Sequence, residues 1–151
     1  MSLGQSQRLL TRNGKILLMN SYLPFLILIF MFFAHIVDDY YLQGWLASGK
    51  QRSWWEKNAP DKLYRYDYKM ALVCHSMSWS IVITLPILIW SLYTNTNLSW
   101  FLFFIPANMF IHAAVDDLKA NRHAINLIVD QSIHFIQVLI TWLTWFLIFV
   151  R

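Results

Sequence analysis

The chain has 151 residues, of which 58% are hydrophobic, 17% aromatic and 13% charged, with a formal net charge of +4. A soluble domain carries about 25% charged residues, so half that share beside eight Trp and eleven Phe excludes a soluble enzyme, a disordered tail and a nucleic-acid-binding arm. The lone cysteine, Cys74, excludes a disulfide framework and a Cys-x2-Cys zinc module.

The first 22-residue stretch free of Asp, Glu, Lys and Arg lies between Lys15 and Asp38 and predicts a helix over 16–46. It reads as a membrane helix and not a signal peptide, because no small-residue cleavage site follows and charged residues continue the segment. Residues 47–68 are rich in Lys, Arg, Trp and Tyr and predict an interfacial loop or short surface helix. The next uncharged run, 46 residues between Lys69 and Asp116, is too long for one crossing of about 20 residues. The polar stretch Tyr93-Thr94-Asn95-Thr96-Asn97-Leu98-Ser99 divides it into helices over 69–93 and 98–120. Pro86 and Pro106 fall inside these two segments, where proline kinks a helix. A last helix is expected over 124–150, since 20 uncharged residues separate Asp130 from Arg151. The expected fold is all-α: one membrane domain, an antiparallel bundle of four transmembrane helices. Helices satisfy their own backbone in lipid.

Orientation follows from Lys and Arg. Lys50, Arg52, Lys57, Lys62, Arg65, Lys69, Lys119 and Arg122 lie on the loop side, against Arg8, Arg12, Lys15 and Arg151 on the other. That asymmetry makes the loop side cytoplasmic.

Ionisable residues recur within these apolar helices. His35 and Asp39, His112 and Asp116, and Asp130 and His134 are each four apart, and His75 stands on the second helix. Residues at i and i+4 share a helix face. Tyr22, Trp90, Trp100 and Trp145 mark one membrane interface. Counted from them at ~1.5 Å per residue, all four histidines fall ~16–23 Å deep, in one layer nearer the basic loops. Buried ionisable groups in a bilayer are costly unless paired or bound. His35, Asp39, His75, His112, Asp116, Asp130 and His134 therefore form the expected metal-ligand set, for one divalent ion or for two sharing a carboxylate. Nitrogen and oxygen donors without thiolate suit zinc, iron or manganese. Gln43 and Gln131 join as ligands or as orienters of ligands, and Lys50 and Lys119 as cations for an anionic lipid or phosphate-bearing substrate. Asp38 and Asp117 read as interfacial charges, the Trp and Tyr residues as a membrane belt, and Cys74 as packing.

The pattern His35-Ile-Val-Asp38-Asp39-Tyr40-Tyr41-Leu42-Gln43, Lys50, His75, His112-Ala-Ala-Val-Asp116-Asp117-Leu118-Lys119 and Asp130-Gln131-Ser132-Ile133-His134 spans 35–134. It resembles a family of small membrane proteins of bacteria and their phages, known as a domain of unknown function. The resemblance implies the same site residues and a bacterial inner membrane, with phage origin as a variant; it implies no reaction. The chain carries a longer aromatic and basic insertion between Lys50 and His75 than that pattern.

His-Glu-x2-His, Gly-x-Ser-x-Gly and the multiple-histidine boxes of membrane desaturases are absent. Three readings remain. The first is a metal-dependent hydrolase of a lipid or anionic amphiphile at the cytoplasmic face, with Asp39 or Asp130 as general base. The second is an interaction protein, homo-oligomeric or bound to a host membrane protein, stapled by a structural metal. The third is an ion or proton transporter.

Overall fold

The computed structural model describes residues 22–150, all helix and connection among the described residues. The expected helix start at 16 and the charges Arg8, Arg12, Lys15 and Arg151 lie outside them. Four helices are long and apolar enough to cross a membrane: α1 (Tyr22–Leu42), α4 (Asp67–Thr94), α5 (Ser99–Ala120) and α6 (Leu127–Trp145). Between α1 and α4 lie the short helices α2 (Trp45–Gly49) and α3 (Arg52–Asn58) and a 3-10 turn, Lys62–Tyr64.

Helix α1 stops short of the expected residue 46, and its last turn, Asp38–Leu42, is a π turn. Gln43 N–H reaches back five residues to the Asp38 carbonyl at 3.2 Å. Gly44 follows at φ 48° and ψ −119°, a conformation that side-chain-bearing residues rarely adopt, and this breaks α1 from α2. The expected surface segment is thus three pieces of helix. Trp54 packs edge-on against both Trp45 and Trp55, Tyr64 stacks on Trp55, and Trp55 Nε1–H donates to the Gly49 carbonyl at 2.7 Å.

Helices α4 and α5 run through Pro86 and Pro106. Asn95, left-handed at φ 52°, ends α4 inside the polar stretch expected to turn. Helix α6 begins at 127 and not 124, because the Asn126 side chain accepts from Val129 N–H at 3.0 Å and caps it there.

Inward faces carry small or fully enclosed residues. Ser76, Ser80 and Thr84 turn their hydroxyls onto carbonyls of their own helix, which satisfies them and lets neighbours approach closely. Met31, Trp79, Ile83, Ile87, Val138 and Trp145 are completely buried and form a dry plug. Outward faces remain apolar, with Phe30, Phe33, Leu102, Phe110, Ile128 and Ile148 all exposed.

Candidate metal centre

Above the plug, α1, α4, α5 and α6 each deliver ionisable side chains to one buried cluster. His35, His75, His112, His134 and Asp130 are fully buried, and Asp116 nearly so. Asp116 lies at its middle. Its Oδ2 is 2.8 Å from His75 Nε2 and 3.4 Å from His112 Nε2, and its Oδ1 is 3.6 Å from His134 Nε2. On the flanks, Asp130 Oδ1 is 3.5 Å from His134 Nε2, and Asp39 Oδ1 is 3.6 Å from His75 Nε2.

Separations of 3.4–3.6 Å are too long for a strong hydrogen bond. Two ligands about 2.0–2.2 Å from one tetrahedral ion are themselves roughly 3.3–3.5 Å apart. Both ring nitrogens of His112 and of His134, and Asp130 Oδ1, are buried without a hydrogen-bond partner. Orphaned buried donors and acceptors cost about 1–3 kcal/mol each, and a cation placed among them removes that cost. Two sets can hold a metal ion: His112, Asp116 and His134, and Asp39, His75 and His112.

His35 is placed differently. Trp79 Nε1–H donates to its Nδ1 at 2.8 Å, so the remaining proton is on Nε2, which donates to Gln131 Oε1 at 3.2 Å. Both nitrogens are engaged, and His35 supports the ligands without a free lone pair for an ion. Gln131 relays that support, its Nε2–H groups donating to Asp39 Oδ2 at 3.2 Å and Asp130 Oδ2 at 3.0 Å. Lys119 also holds Asp130 Oδ2, at 2.8 Å, which leaves Oδ1 facing His134. Lys50 Nζ donates to Asp116 Oδ2 at 2.6 Å and to His75 Nε2 at 2.7 Å.

Gln43 lies off the ligand set. The π turn advances the helix face by an extra residue, so Gln43 aligns with Asp38 and not with Asp39. Its amide bonds the Asp38 carboxylate and the His75 carbonyl. Asp38, expected at the interface, is instead fully buried and accepts from Ser78 Oγ–H at 3.0 Å. Asp117, by contrast, is paired with exposed Arg122 at 2.7 Å.

Two residues of the site lay outside the sequence expectation. Trp79, expected in the belt, is fully buried with its ring 4.2 Å from His112, and His112 in turn stacks 4.1 Å from His134. The stack fixes both imidazole planes. Asn121 clamps the backbone that carries Lys50, accepting from Arg52 N–H at 2.8 Å and donating to the Lys50 carbonyl at 3.2 Å.

The cluster meets a cleft of about 360 Å³ through Asp39 and Asp116, and the cleft wall also includes Lys50, Lys119, His123 and Gln131; the four buried histidines and Asp130 lie behind that wall. That volume lies in the range of small-molecule sites. Cys74 is half-buried and joins neither metal-binding set. Comparison of the chain with protein-family models, curated protein sequences and solved structures gives no match.

Proposed function

We propose that the chain is a metal-dependent hydrolase embedded in the bacterial cytoplasmic membrane, cleaving an ester bond in an anionic lipid or similar amphiphile. The observation that carries this reading is a cleft edged by Lys50 and Lys119 that reaches the buried His/Asp cluster at Asp39 and Asp116. A structural metal is closed off by its ligands, whereas a catalytic one keeps a position open to water and substrate. Exposed apolar faces on four helices support the membrane setting, and the basic loop side supports a cytoplasmic mouth.

His112, Asp116 and His134, with Asp130 Oδ1 beside them, are the residues to hold zinc, iron or manganese. When bound, such an ion lowers the pKa of a coordinated water and polarises the ester. Asp39 suits the general base, because it lines the cleft and its Oδ1 has no hydrogen-bond partner. Asp130, the other candidate base, is committed to Lys119 and Gln131 through Oδ2 and is absent from the cleft wall. In the step proposed, Asp39 accepts a proton from water as its oxygen attacks the ester centre. The bond to the leaving oxygen breaks, and Asp39 returns the proton to that oxygen. Lys119, about one-third exposed, offers its charge to the anionic head group.

Transport fits less well. The plug of Met31, Trp79, Ile83, Ile87 and Val138 lies beneath the cluster, and the Ser80 and Thr84 hydroxyls are turned onto their own helix.

The test is incubation of the metal-loaded protein with vesicles of mixed zwitterionic and anionic phospholipids, with products followed by mass spectrometry. Hydrolysis should be lost in Asp39→Asn while its metal content is retained. A fully metallated, folded parent that releases no product from any lipid present would overturn the reading.

A further inference from the structure

The two metal-binding sets share His112, and Asp116 of one set also lies 2.8 Å from His75 of the other. They are not equivalent. In the set of His112, Asp116 and His134, all four imidazole nitrogens are without partners. In the set of Asp39, His75 and His112, Asp39 Oδ1, His75 Nδ1 and the His112 nitrogens are likewise unpartnered, but His75 Nε2, the nitrogen that faces Asp39 Oδ1, is already met by Lys50.

His75 Nε2 and Asp116 Oδ2 are 2.8 Å apart. No direct hydrogen bond joins them, because a lysine ammonium is donor only and His75 Nε2 must therefore accept from it. Two acceptors this close repel unless a cation lies against both. Lys50 Nζ does so, at 2.7 Å and 2.6 Å. Its side chain is 13% exposed, so the ammonium is largely withdrawn from water. Its backbone is pinned from the other side by Asn121.

We infer that the Lys50 ammonium fills the second cation position of a site shaped for two, so that the protein binds one divalent ion and not a pair. This rests on the metal-binding part of the function proposed above, not on its hydrolytic part. Charge balance supports it. The layer holds Asp38, Asp39, Asp116 and Asp130 against Lys50 and Lys119, which with neutral imidazoles leaves two negative charges. One divalent ion cancels them, whereas a second would leave two positive charges in a largely buried, low-dielectric layer, where uncompensated charge is expensive. Removing the ammonium makes room for the second ion in the set of Asp39, His75 and His112, with Asp116 Oδ2 beside His75.

The experiment loads detergent-purified parent, Lys50→Met, Lys50→Arg and Lys119→Met proteins with manganese and removes loosely held ion by gel filtration. Bound metal is then counted per chain and electron paramagnetic resonance spectra are recorded. The parent, Lys50→Arg and Lys119→Met should each hold one ion with an isolated-ion spectrum. Lys50→Met should hold two, with the spectrum of a coupled pair. Two ions in the parent, or one in a folded Lys50→Met at saturating manganese, overturns the inference. Should Lys50→Met fail to fold, the parent count and the Lys50→Arg count decide the matter. A parent with one ion but no lipid hydrolysis leaves the inference standing and removes the hydrolase reading. A parent with no ion removes both.

Discussion

Replacing Gln131 by Leu isolates the support given to the ligands from the ligands themselves. The substitution keeps the side-chain size and deletes three contacts: the bond from His35 at 3.2 Å, and donations to Asp39 at 3.2 Å and Asp130 at 3.0 Å. Hydrogen bonds to charged groups are worth about 1.5–3 kcal/mol each. Gln131 lines the open cleft, however, so water replaces part of what is lost at the two carboxylates. At His35 the ring is fully buried, and its Nε2–H loses its acceptor. Removing an outer partner of a metal ligand typically weakens binding about 10–100-fold, equivalent to about 1.4–2.8 kcal/mol. That range is the expected loss of metal affinity, measured by competition with a fluorescent chelator in detergent. Gln137→Leu is the control. It removes a buried amide that donates to the Asn108 carbonyl at 2.8 Å and to Asn108 Oδ1 at 2.9 Å, within a polar cluster that includes none of the metal ligands. It should lower thermal stability and leave metal affinity unchanged. Equal metal affinity in Gln131→Leu and the parent would refute the argument that Gln131 orders the centre.

Two further predictions test the end of α1. Gly44→Ala should destabilise the fold by about 1–3 kcal/mol, the usual cost of holding a side-chain-bearing residue in sparsely populated backbone space. The added Cβ would meet nothing within 4 Å, so no steric term contributes; thermal unfolding equal to the parent would contradict this. Asp38→Asn should leave the metal content unchanged, because the Asp38 carboxylate is engaged by Ser78 and Gln43 and belongs to neither metal-binding set. Loss of metal in that variant, measured by elemental analysis, would place Asp38 in the centre after all.

The apolar runs were enough to indicate four long helices, since length and lack of charge are one-dimensional properties. The i, i+4 pairs His112/Asp116 and Asp130/His134 also survive unchanged, because they lie in regular helix, where spacing maps directly onto a face. The pattern failed where helix was not regular. From His35 through Asp39 to Gln43 the spacing suggests one stripe, and the π turn diverts its last member to Asp38. Trp79 was legible in principle. It lies four residues from His75 on the same helix, but tryptophan's frequency at membrane interfaces pointed elsewhere. The role of Asn121, and the choice between ligand and orienter for Gln131, depend on contacts 71 and 96 residues away along the chain, to Lys50 and His35. No local pattern carries that information.

The π turn at Asp38–Leu42 decides by its winding which groups meet. Ordinary α-helical winding of the same residues would rotate everything after the turn by about 100° relative to His35. Gln43 would then return to the stripe of His35 and Asp39, Asp38 would lose its amide partner, and α2 would leave the helix at a different angle. Lys50, six residues beyond Gly44, would no longer be aimed at His75 and Asp116. The turn holds one residue more than an α-helix needs, and deleting that residue would place Gln43 four positions after Asp38, where regular helix keeps the pair on one face. In this segment the winding of the backbone sets the aim of Lys50.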